Sequence, residues 1–275
     1  MKEANPRSGL AMSGRSAEEL KQCCAAAYSG DAVALILGDS YHPGGVALTR
    51  RLARCMALAP AELVADIASG PGTTALLLAR EFGVDVVGID LAEPAVAAAN
   101  ARASASGLGE RVHFYPGDAE LLPLPDGSVD AVMCECAWCT LPDKAAGAAE
   151  MARILKPGGR LGITDVTLDP DRLDPELASI AGWVACIADA QPLAQYRALL
   201  ERAGLTVTIT EAHDDALAQM IATIDARLAT YAMLVTPALA GIDVASVRAK
   251  VAIAARGVAA GVAGYALLIA VKPAA

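Results

Sequence analysis

The chain has 275 residues, 55% of them hydrophobic, and carries 31 acidic against 22 basic side chains, for a formal net charge of -9. That length supports one large domain with a substantial core. The negative balance argues against wrapping a phosphate backbone or docking on an anionic membrane, so neither nucleic acid nor membrane is expected as a partner.

In chain order, residues 1–15 are small, polar and Pro/Gly-bearing, and read as a flexible arm. Met1-Lys2-Glu3-Ala4-Asn5-Pro6 lacks the layout of a signal peptide, and seven cysteines form an odd, clustered set unlike a secreted disulfide framework. A cytoplasmic protein with reduced thiols is expected. A helix should begin near Ser16-Ala17-Glu18-Glu19, and residues 46–53 have helical spacing, so 16–60 read as an N-terminal helical lid. Within it the turn-rich run Gly38 to Gly45 places Tyr41 and His42 to touch substrate or cofactor.

From there short apolar runs alternate with amphipathic stretches. Strands are expected at Leu63–Ala68, Val84–Ile89, Val112–Tyr115, Ala131–Cys134, Leu161–Thr164, Leu205–Thr210 and 265–271. Helices are signalled at Thr73–Phe82, Pro94–Ser106, Lys144–Leu155 and Leu193–Ala203, each closing near a glycine or a Lys-Pro-Gly-Gly turn. The pattern describes one α/β domain over 16–275, with a core at 61–213, a helical insertion of two or three helices at 214–263, and a last strand at 264–275. The apolar run 251–271 is interrupted by Arg256 and diluted by glycines, which suits a buried strand at its end better than a membrane span.

Three strand ends carry chemistry. The first reads Asp66-Ile67-Ala68-Ser69-Gly70-Pro71-Gly72-Thr73, a turn that lets the backbone approach a ligand at a helix N-terminus. The second ends Asp90-Leu91, where a carboxylate can accept both hydroxyls of a ribose. The third ends Gly117-Asp118-Ala119-Glu120, placed to meet an adenine amino group. Together they describe an adenosine site. A dinucleotide site would call for a third glycine where Ala75 stands, which counts against nicotinamide chemistry.

Asp66, Gly70, Gly72, Asp90, Asp118, the Asp126-Gly127-Ser128-Val129-Asp130 run and Lys156-Pro157-Gly158-Gly159 follow one another as in the class I S-adenosylmethionine-dependent methyltransferases, which this chain resembles. The resemblance implies a doubly wound, seven-stranded, mostly parallel sheet, a Rossmann-like methyltransferase fold. It implies S-adenosylmethionine bound by Asp66, Ala68, Gly70, Gly72, Asp90, Leu91, Asp118, Ala119 and Glu135. Ala68 departs from the family's usual glycine.

Three cysteines lie within six residues at the fourth strand end, Cys134, Cys136 and Cys139, where a methyl acceptor sits in such a fold. Zinc is disfavoured, because no second cluster has finger-like spacing. Asp130, Cys136, Pro142-Asp143-Lys144, Trp183 and Cys186 keep the spacing of the arsenite methyltransferases, which the chain resembles more narrowly. That resemblance implies trivalent arsenic as substrate, free or as a glutathione conjugate, ligated by Cys136, Cys186 and either Cys24 or Cys23. Glu135 and Cys139 stand where that family has asparagine, and no cysteine follows Cys186. Two readings compete: methylation of a small organic metabolite with Glu135, His42 or Asp165 as acid or base, and a metalloid-binding module without turnover. The oligomeric state is not legible.

Overall fold

The computed structural model of the protein describes residues 16–28, 30–38, 41–174, 189–233 and 243–274. Seven strands form one sheet: β1 (Leu63–Ile67), β2 (Asp85–Asp90), β3 (Val112–Pro116), β4 (Val129–Glu135), β5 (Leu155–Leu168), β6 (Thr206–Ala212) and β7 (Ala263–Val271), in the order β3-β2-β1-β4-β5-β7-β6. Pairings among β1 to β5 are parallel, and β7 runs antiparallel between β5 and β6. The expected strands are all present. They were legible because a parallel strand covered on both faces must be apolar along its whole length, as the burial of Val64–Ile67 and Val86–Ile89 illustrates.

The helices are α1 (Ala17–Tyr28), α2 (Asp31–Leu37), α3 (Gly45–Cys55), α4 (Thr73–Phe82), α5 (Glu93–Ala105), α6 (Lys144–Ile154), α7 (Leu193–Arg202), α8 (Asp214–Ala232) and α9 (Val244–Ala259). One face of the sheet is covered through Leu48 and Leu52 of α3, Leu76 to Ala79 of α4, Ala99 of α5, and Leu217 and Ile221 of α8. The other is covered through Met151 of α6 and Tyr196, Leu199 and Leu200 of α7.

Two details differ from the expectation. Lys156-Pro157-Gly158-Gly159 does not stand apart as a turn: β5 starts at Leu155 and includes it. The Gly158 N–H donates to the Lys272 carbonyl, and the Lys272 N–H donates to the Gly159 carbonyl, both at 2.9 Å, so the tail of β7 draws this segment into the sheet. The second is α2, whose 7 residues are too few to show a helical period in sequence. Tertiary packing holds it. Arg227 of α8 donates to the Ile36 carbonyl at 2.7 Å, the last turn of α2, and Ile36 packs on the fully buried Leu228. The helices inserted before β7 therefore clamp the N-terminal helices. Among the described residues, no helix is long and apolar enough to cross a membrane.

β1 pairs with β2 on one side and β4 on the other, with Asp66 opposite both Gly88 and Met133. Strand order reverses direction between β1 and β4, and at such a switch point the connections diverge and leave a crevice at the carboxyl ends.

Candidate active site

A cavity of about 370 Å³ opens at that crevice. Its floor is the turn after β1. Ala68, Gly70 and Gly72 all have positive φ, at 56°, 50° and 79°. For Ala68 this conformation costs about 1–2 kcal/mol, and the neighbouring bonds hold it: Ser69 N–H donates to the Ile89 carbonyl and Gly72 N–H to that of Ser69. A Cβ on Gly70 would meet no atom within 4 Å, so the backbone there is open to the cleft.

Gly72 lies apart from the other expected cofactor residues. It is absent from the cavity wall, and a Cβ on it would come within 2.6 Å of Phe114 Cζ and 3.2 Å of Ala99. Its role is to let the turn rest on the Phe114 ring while starting α4. Gly72→Ala should therefore destabilise the fold by about 1–3 kcal/mol through overpacking and left-handed strain, read from denaturant unfolding.

Asp66 lines the cavity at 3% exposure. It accepts from the Ala75 N–H in the first turn of α4, yet its Oδ2 and the Ser69 Oγ have no hydrogen-bond partner. Burial, with the nearby carboxylates of Glu135 and Asp90, pushes its pKa well above the ordinary range. Such a group favours its neutral form. Its contribution to stability is complete below the unfolded-state value of about 3.9 and is lost as pH rises through the raised folded value. The ligand-free protein should thus lose thermal stability from about pH 4 upward more steeply than Asp66→Asn. Parallel melting curves for the two proteins from about pH 4 upward would contradict this.

Asp90 ends β2 beside Leu91, both in the cavity wall. Its Oδ2 accepts from Gly70 N–H at 2.7 Å and its Oδ1 from Ala92 N–H at 2.8 Å. Burial raises its pKa, and those two bonds oppose the shift. After β3, Asp118 and Ala119 complete this end of the wall. Lys21 of α1 reaches across to Asp118 Oδ2 at 2.6 Å and Glu120 Oε2 at 2.5 Å. Burial opposes its charge, but the two carboxylates prevail and raise its pKa. Sequence reading missed Lys21, because a lone lysine on an amphipathic helix looks solvated.

β4 delivers Glu135 and Cys136. The Cys136 N–H donates to the Thr164 carbonyl at 2.6 Å and its φ of 53° is left-handed, a turn that leaves Cys136 in the cavity wall. Glu135 accepts from Thr74 Oγ1 at 2.7 Å and from Thr49 Oγ1 at 3.1 and 3.2 Å, and His42 Nε2 lies 3.6 Å from its Oε2. Tyr41 and His42 both line the cavity.

The choice between Cys23 and Cys24 follows from helix phase. Lys21, Cys24, Ala25 and Tyr28 form one face of α1 and line the cavity, an i, i+3, i+4, i+7 row. Cys23 points elsewhere, into a shallow depression with Glu18, Glu19 and Gln22. It lies away from the cavity that Cys24 lines. Cys134 and Cys139 are buried core thiols, and burial holds Cys134 well above the ordinary thiol pKa. Asp165 is likewise no cavity residue: at 1% exposure it accepts from the N–H groups of Cys139 and Val166. Trp183 and Cys186 lie outside the described residues. Among the described residues, no three His, Cys, Asp or Glu side chains could together hold a metal ion.

The strand order is that of a Rossmann-like methyltransferase fold, and the glycine turn after β1 and the acidic residues ending β2 and β3 line the cleft at its switch point. Residues 64–159 match the family model described as a methyltransferase domain. Methyltransferase GfsG of Streptomyces halstedii is 31% identical over 61% of this chain and 61% of its own length. An arsenite methyltransferase of Halobacterium salinarum is 34% identical over 54% of this chain and 38% of its own length. The chain thus spans less than two thirds of either relative. Among solved structures, phosphoethanolamine N-methyltransferase 2 of Haemonchus contortus, with S-adenosylhomocysteine bound, has the same fold. It superposes with a TM-score of 0.79 at 20% identity, covering 94% of this chain and 60% of that one.

Proposed function

We propose that this protein transfers a methyl group from S-adenosylmethionine to a thiol-bound trivalent metalloid, with arsenite as the acceptor. The observation that carries the reading is that Cys24 of α1 and Cys136 after β4, 112 positions apart by their numbers, line one cavity with Asp66, Gly70 and Asp90.

The residues fit the cofactor. The unpartnered Asp66 Oδ2 and Ser69 Oγ suit an ammonium group, and the Asp90 carboxylate has lone pairs left for ribose hydroxyls. Asp118 and Ala119 stand at the adenine end, and Glu135 at the opposite one. When bound, S-adenosylmethionine supplies an electrophilic methyl group.

The thiols act on the acceptor side. Trivalent arsenic prefers sulfur ligands, and thiolates from Cys24 and Cys136, with Cys186 as the third ligand of the proposal, leave its lone pair free to be aimed. No side chain then has to remove a proton from the attacking atom. The thiols pass theirs to the hydroxide or glutathione thiolate that leaves the arsenic, and because the thiolate is the attacking form, the rate of loading rises with pH. A glutathione conjugate of arsenite would enter by exchange of thiol ligands at the same cysteines.

The test supplies arsenite, glutathione and labelled S-adenosylmethionine, and separates the products by chromatography and mass spectrometry. Methylated arsenicals are expected. Metalloid binding without products would favour a binding module. The apolar wall from Tyr28, Leu91 and Leu141 favours one second reading, a small organic acceptor, and labelled product appearing only with such a compound would replace arsenic by it.

A further inference from the structure

Negative charge in the cleft is compensated unevenly. Asp118 has Lys21, and Asp90 has two backbone N–H donors. Asp66 has one N–H donor, that of Ala75, and Glu135 is held by side-chain hydroxyls. They come from the adjacent strands β1 and β4, their side chains are almost wholly buried, and among the described residues no lysine or arginine pairs with them. Asp66 keeps Oδ2 unpartnered, while Glu135 is held by the Thr49 and Thr74 hydroxyls with His42 at 3.6 Å. Hydroxyl donors orient a carboxylate without neutralising it, and in a dry wall the remaining field is strong. The complement is a ligand with a positive charge facing Glu135 and an ammonium facing Asp66, whose ionised form such a ligand would restore.

Resting on the cofactor reading above, that ligand changes charge during the reaction. The donor carries an ammonium and a sulfonium; the product keeps the ammonium and becomes a neutral thioether at sulfur. Asp66, deep at the end of β1, serves the centre that does not change. Glu135 directly precedes Cys136, the acceptor-side thiol, and so stands where the charge is lost. We infer that Glu135 makes the site read the cofactor's sulfur charge, favouring the sulfonium donor over the thioether product and so speeding product exchange.

The test is calorimetric, on the full chain, with S-adenosylmethionine, S-adenosylhomocysteine and sinefungin, whose amine replaces the charged sulfur. In the unaltered protein both cations should bind about tenfold more tightly than the thioether, and Glu135→Gln, which keeps the size and an acceptor for the threonines, should erase that margin. Thioether affinity should stay within about twofold, the scatter expected when no charge contact is lost. Parallel weakening of all three ligands would make Glu135 a structural support and overturn the inference. An unaltered protein that binds thioether as tightly as sulfonium overturns it without any variant. Binding of none of the three would remove the cofactor reading itself.

Discussion

Cys136→Ser should lower arsenite methylation by roughly a hundredfold or more, the scale at which misplacing a reacting atom by an ångström is felt. The substituted hydroxyl is a hard oxygen that stays protonated at neutral pH, so it neither binds a soft metalloid nor restores the geometry. Cys24→Ser should behave alike, because both thiols line the cavity. Cys23→Ser is the internal control and should leave turnover within about twofold, since surface substitutions away from a site are usually within ~0.5 kcal/mol. Steady-state rates for the three variants, with calorimetry showing unchanged S-adenosylmethionine affinity, check the assignment. Full activity in Cys136→Ser would end the thiol-ligand reading while leaving the cofactor site intact.

Asp90→Ala should weaken S-adenosylmethionine binding by roughly a hundredfold. Hydrogen bonds to a charged carboxylate contribute about 1.5–3 kcal/mol each, and the ribose offers two hydroxyls. The same carboxylate restrains Gly70 at 2.7 Å and Ala92 at 2.8 Å, so its loss also loosens the floor of the cleft. Asp90→Asn retains one acceptor oxygen and should lose less. Titration calorimetry on both variants, with thermal melting to confirm folding, gives the comparison. A change below about threefold in Asp90→Ala, under 1 kcal/mol, would mean that the ribose is held elsewhere.

The lid clarifies why the two sites act together. Lys21 and Cys24 are one helical turn apart on α1, so the helix that pairs with Asp118 also presents a thiol to the cavity. His42 reaches Glu135 from the following loop, and Arg227 secures α2 between them. The N-terminal segment is thus tied to the rest of the fold at three points, two of them at the cleft.

Local patterning was enough for the seven strands, for α4 to α7, and for the turn and carboxylates that mark the cofactor cleft, because buried parallel strands and glycine turns impose their composition on contiguous residues. Asp66, Gly70, Asp90 and Asp118 could be read for the same reason: each sits at a fixed offset from the end of its own strand. What the linear order could not decide were relations across the chain. Adjacent Cys23 and Cys24 are indistinguishable until the phase of α1 is set by Lys21 and Tyr28 against the cavity. Gly72 reads as a ligand contact, and only the Phe114 ring beneath it reveals a packing role. The pairings of Lys21 with Asp118 and of Thr49 and Thr74 with Glu135 span 97, 86 and 61 positions, distances over which no sequence period operates. Those contacts exist because the sheet brings distant strand ends to one edge, and that is a property of the folded chain alone.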